Sequence, residues 1–121
     1  MIKTILLLED DYTISKAFEK FASINDFIVF HFYNPSDMID SKLDFSLIDL
    51  IVSDFDMMGE TALDLLKYLK DNNINTPVIL NTGNSCCINI IKNKGLDSNI
   101  VYYADKTESF KDIFEKINNL I

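Results

Sequence analysis

Short apolar runs with almost no polar alternation constrain this chain more than any other feature: ILLL at 5–8, LIVS at 50–53, VILN at 78–81 and IVYYAD at 100–105. Each is too short for a buried helix and predicts a strand covered on both faces, the kind found in parallel sheets. The residues that end each run matter as much. The first meets Glu9, Asp10 and Asp11, the second Asp54, the third Thr82 and the fourth Lys106. Neighbouring parallel strands open their carboxyl ends on a common edge, so acids, hydroxyl and ammonium converge on a single crevice. Crowded carboxylates repel, and a hard divalent cation is the usual means of keeping them ionised together. The pattern therefore predicts a metal-assisted acidic pocket.

Helical spacing fills the intervals. Ile14, Ala17, Phe18, Phe21 and Ala22 share a face behind Asp11 or Thr13, either of which can cap the start. FIVFHF at 27–32 predicts the second strand, and Asn34 followed by Pro35 opens a short helix, because proline's missing N–H costs nothing at the first helical position. Ala62, Leu65, Leu66 and Leu69 line the next helix, which stops in DNNIN before Pro77. A poorer helix over 85–94 ends at Gly95, and Thr107 is able to cap a last helix whose Phe110, Ile113, Phe114, Ile117 and Ile121 share a face. Five strands alternating with five helices predict right-handed crossovers and a three-layer α/β fold. This is a doubly wound (βα)5 parallel sheet of the flavodoxin-like kind, with strand order 2-1-3-4-5.

With 121 residues and 48% hydrophobic content, one domain over 1–121 is expected. No apolar run reaches membrane-spanning length, and MIKTILLL reads as a buried strand rather than a signal peptide. The net charge of −8 argues against direct nucleic-acid binding and favours a basic or apolar partner surface. All eleven cations are Lys, so no guanidinium fork is available for phosphate. Cys86 and Cys87 are adjacent, which strains a mutual disulfide and leaves a metal short of ligands. They read as buried or half-buried helix residues in a reducing cytosol. His31, without a nucleophile or ligand nearby in sequence, reads as a packed or surface imidazole.

ILLLEDD, IVSDFDMMG, VILNTGN and YYADK, in that order and each ending a strand, resemble the motifs of a response-regulator receiver domain over essentially the whole chain. The resemblance implies a cytoplasmic two-component signalling module whose Asp54 accepts a phosphoryl group from a histidine kinase or histidine phosphotransfer protein. It implies Mg²⁺ held by Asp10, Asp54 and the backbone carbonyl of Asp56, with Glu9 acting through a metal-bound water. It makes Thr82 the switch hydroxyl, Lys106 the charge-balancing ammonium and Tyr103 the aromatic switch. Phosphorylation would bias a face built by the fourth helix, fifth strand and last helix, where an unknown effector or a second copy would dock. Such a domain is not an enzyme beyond slow self-dephosphorylation, which Asp56 and Asn84 would tune. No membrane and no nucleic acid is expected as a partner.

The chain also departs from the family's pattern. Thr107 stands where a cis proline is usual; a cis bond there would cost about 2.5–4 kcal/mol, so a trans bond is expected. Met58 replaces the usual Pro, Ala62 a Gly, and Gly83 an Ala, the last loosening the backbone beside Thr82. Of Ile88, Ile90 and Ile91 on the output face, two are expected in the core. Two other readings stay open: a haloacid-dehalogenase-like phosphohydrolase, in which Asp54 and Asp56 are nucleophile and general acid, and a receiver that no longer phosphorylates and serves as an interaction module.

Overall fold

The computed structural model describes residues 2–83 and 85–121. Strands β1 (Lys3–Leu8), β2 (Phe27–Phe32), β3 (Leu50–Asp54), β4 (Val78–Thr82) and β5 (Ile100–Asp105) form one sheet, alternating with α1 (Tyr12–Ile24), α2 (Pro35–Asp40), α3 (Ala62–Asp71), α4 (Ser85–Asn93) and α5 (Phe110–Leu120). The order across the sheet is β2-β1-β3-β4-β5, with every pairing parallel. This is the doubly wound flavodoxin-like sheet that the alternation predicts. All five residues of the central β3 are buried, because helices cover both of its faces.

Side-chain alternation divides the core into two layers. On one face Ile5, Leu7, Leu50, Val52 and Ile79 pack with Phe18 and Ala22 of α1 and Ile113, Phe114 and Ile117 of α5. The rings of Phe18 and Phe114 lie 4.9 Å apart between centroids. On the other face Leu6, Leu8, Ile51, Val78 and Leu80 meet Met38 of α2, the Ala62, Leu65, Leu66 and Leu69 stripe of α3, and Cys87 and Ile91 of α4.

Local chemistry sets the element ends. Asp11 caps α1 by accepting from the Ile14 N–H, and Asn34 caps α2 from the Asp37 N–H with Pro35 in the first turn. At α5 the expectation fails. Ser109, not Thr107, accepts from the Asp112 N–H, while the Thr107 N–H and hydroxyl turn back to Asp105. In α4 only Ile91 of the three isoleucines is buried; Cys87 takes the second core position, Ile90 is exposed, and Cys86 faces outward. In α1 Ser15 is buried while Ile14 and Phe21 lie toward solvent.

Two features have no counterpart in the sequence pattern. The register of β4 against β5 slips between Val78 and Ile79, whose partners are Ile100 and Tyr102, leaving Val101 as the extra residue. The slip puts Ile100 and Tyr103 together on the α4 side, and Tyr102 opposite, although alternation alone would pair Ile100 with Tyr102. After β3, Asp56–Met57 and Glu60–Thr61 form a small antiparallel hairpin. Its two loop residues, Met58 and Gly59, have φ of 49° and 82°, as a type I′ turn requires. Proline, fixed near −65°, could not stand at Met58 in this turn.

Candidate functional site

The carboxyl ends of β1, β3, β4 and β5 meet on one sheet edge, where the crossover direction changes between β1 and β3. Glu9 and Asp10 follow β1 directly and Asp54 is the last residue of β3. Each offers a carboxylate oxygen, and these atoms lie within 4.8 Å of one another. Glu9 and Asp54 are buried, with 5% and 7% of their surface exposed. Lys106, just past β5, places Nζ against Asp54 Oδ1 as an ion pair. Thr82 is buried at the end of β4.

Backbone donors hold the acids. Glu9 Oε2 accepts from the Asp11 N–H at 3.1 Å, Asp54 Oδ1 from the Phe55 N–H at 3.1 Å, and Asp10 Oδ2 from the Met58 N–H at 3.2 Å. The last bond ties the hairpin turn to the acid cluster across the edge. Behind it, the Glu60 carboxylate accepts from the Ser36 N–H at 3.0 Å and from its hydroxyl at 2.7 Å, joining the hairpin to the first turn of α2. Asp56 is exposed and opens the hairpin.

Burial, and after it the closeness of like charge, disfavours ionisation of two of these carboxyls. Burial above all, with the nearby Asp54 charge and an Asp10 hydrogen bond adding to it, lifts Glu9 from 4.5 to about 7 against the pull of the Asp11 N–H and Lys106. Burial also raises Asp54, and the Lys106 ammonium only partly offsets that. Three hard oxygen donors gathered within 4.8 Å suit a small divalent cation, which would offset the cost of holding Glu9 and Asp54 ionised in a buried place.

Tyr103 lies on the α4 side of β5, and its buried hydroxyl has no hydrogen-bond partner among the described residues; burial raises its pKa. Its ring packs against the α3/α4 core layer, and a cavity of about 320 Å³ between Thr82, Gly83, Ser85, Ile88 and Tyr103 opens beside it. Asn84 lies outside the described residues. The Lys106–Thr107 peptide is trans.

Sequence reasoning missed three supports. His31 Nε2 lies 2.8 Å from the Glu9 carbonyl oxygen, behind the acid pair, a contact that only the β1–β2 register makes visible. The Met58 amide on Asp10 depends on a turn that no motif announced. A β-carbon at Gly83 would sit 3.2 Å from Lys106 Cγ, so the bare glycine leaves the lysine stem its path. The Gly83 contact had a sequence signal, the departure from Ala, but its partner did not.

Comparison with known proteins agrees with this geometry. No curated protein matches the chain. Among solved structures, the receiver domain of Francisella response regulator 1452 is 26% identical with a TM-score of 0.79, over 98% of this chain and 95% of that one. The non-phosphorylated HemR receiver domain of Leptospira biflexa is 16% identical (TM-score 0.82, 98% and 93% covered), and CheY4 of Vibrio cholerae, a chemotaxis response regulator, is 13% identical (TM-score 0.82, 100% of both). At those lower identities the likeness shows the fold. The response regulator receiver domain family matches residues 5–118. With its four strand-end motifs on one sheet edge and that match over nearly its whole length, the chain belongs to the response regulator receiver domain family, the signalling modules of two-component systems.

Proposed function

We propose that Asp54 accepts a phosphoryl group from a phosphohistidine of a histidine kinase or histidine phosphotransfer protein. The single observation that carries this reading is the juxtaposition of Asp54 with Glu9, Asp10 and Lys106 at one sheet edge. An Asp54 carboxylate oxygen forms the new bond to phosphorus, the phosphorus–nitrogen bond breaks, and the imidazole leaves with the electron pair. The product is an aspartyl phosphate on this chain.

Receiver domains bind Mg²⁺ at an acidic pocket, and the donor set here fits that ion. Asp10, Asp54 and the backbone carbonyl of Asp56 would hold it directly and Glu9 through water, and it would neutralise charge on the transferring group. Lys106 neutralises the acceptor before transfer and a phosphoryl oxygen afterwards. Thr82 donates its hydroxyl to that group, and the cavity beside Tyr103 gives the ring room to follow. The added charge, about −1.5 to −2, then biases the face of α4, β5 and α5 toward an effector or a second copy. Loss of the phosphoryl group is slow hydrolysis, tuned by Asp56. Membership of the receiver family sets aside the phosphohydrolase reading.

Intact mass after incubation with Mg²⁺ and acetyl phosphate tests the assignment. Wild type gains one phosphoryl group and Asp54→Asn gains none. Label on Asp54→Asn moves the acceptor elsewhere, label that survives a chelator removes the metal from the chemistry, and an unlabelled wild type leaves an interaction module.

A further inference from the structure

Lys106 reaches Asp54 from a loop, and 44% of its side chain is exposed, so packing along the stem does not by itself fix where the ammonium sits. Four side-chain torsions make Lys a poor positioner unless its backbone origin is held. The loop supplies that hold through an unusual ring of bonds. The Glu108 N–H donates to the Asp105 carbonyl at 2.9 Å, and the Asp105 N–H donates back to Glu108 Oε1 at 3.2 Å, so the residues flanking Lys106 and Thr107 clasp each other twice. Inside the ring, the Thr107 N–H and hydroxyl both donate to Asp105 Oδ1, at 2.9 and 3.0 Å. Outside it, the Tyr102 hydroxyl donates to the same Glu108 oxygen at 2.6 Å, and that ring lies 4.8 Å under the Lys116 ammonium of α5. The clasp is thus anchored to strand and helix at once.

We propose that Glu108, through this clasp with Asp105 and Tyr102, is a positioning residue for Lys106 and sets the rate at which Asp54 is phosphorylated; the proposal rests on the acceptor reading above. Glu108 touches neither Asp54 nor the other carboxylates of the cluster among the described bonds, so its effect passes through the lysine alone. The plain alternative is that Glu108, just before the α5 cap, only complements the helix dipole with its charge. The two differ in what they need: the clasp needs an acceptor oxygen, the dipole a negative charge.

The test measures the rate of Mg²⁺-dependent labelling by phosphoramidate, with Mg²⁺ titrated. Glu108→Ala slows labelling about 10- to 100-fold, the range expected for a reacting group displaced by about an ångström. Glu108→Gln, which keeps the acceptor oxygen and loses the charge, stays within about twofold of wild type. Tyr102→Phe slows labelling less than Glu108→Ala, and the Mg²⁺ midpoint is unchanged in all three. In a Lys106→Ala background, Glu108→Ala brings no further slowing, because positioning a missing ammonium is worth nothing. Labelled wild type with an undiminished Glu108→Ala, a Gln variant as slow as Ala, or additive loss with Lys106→Ala overturns the clasp and leaves the acceptor reading standing. An unlabelled wild type overturns both.

Discussion

Glu9 concentrates the electrostatic tension of this molecule in one carboxyl group. In the absence of metal its pKa lies at about 7 in the folded chain against 4.5 as a free group, so between those values the native state holds a proton that the unfolded state releases. A raised pKa contributes stability that is fully present below the unfolded value and is lost as pH rises through the folded one. Metal-free protein should therefore lose on the order of 1–3 kcal/mol from this group between pH 4.5 and 7. Urea unfolding at pH 5 and 7.5 checks it: the difference shrinks in Glu9→Gln, and saturating Mg²⁺ shrinks it in wild type. Residue identity at this scale was largely legible, because Glu9, Asp10, Asp54, Thr82 and Lys106 each follow an apolar run. Their neighbours were not, since His31, Met58 and Gly83 reach the site through strand register, a turn and a missing β-carbon.

Elements read well from periodicity and poorly at their ends. The α3 stripe of Ala62, Leu65, Leu66 and Leu69 is buried as its spacing predicts, and the short α2 begins at its Asn–Pro pair. Thr107 was the expected cap for α5, and Ser109 takes that place because the Asp105 carboxylate captures Thr107. Propensity cannot decide such a competition, because it depends on where the strand before the loop stops. Ser109→Ala should cost about 1 kcal/mol in chemical denaturation through the lost bond to the Asp112 N–H. Thr107→Ala should leave α5 helicity intact; a loss of α5 amide protection in that variant equal to the Ser109→Ala loss would restore the threonine as cap. The slip at Val101 was likewise invisible, since IVYYAD carries no glycine or proline to mark it, yet it decides which tyrosine faces α4.

At the scale of the whole molecule, a sheet sandwiched between two helical layers was legible because uninterrupted apolar strands admit few other packings. Nineteen acids against eleven lysines add a general self-repulsion to the local one at the site. Monovalent salt should raise the melting temperature modestly by screening, and Mg²⁺ at matched ionic strength should raise it further by occupying the acid cluster. That excess should vanish in Asp10→Asn; an excess that persists there would place the ion elsewhere. The hairpin after Asp54 bears on how this edge of the sheet meets its surroundings. Bonded to Asp10 through the Met58 N–H in its turn and to Ser36 through Glu60 just after it, the hairpin is tied on two sides, as a door jamb is and a flap is not. The Met58 side chain stands out into solvent from that tethered backbone, so whatever approaches the acid cluster over the turn meets a thioether before it meets a charge.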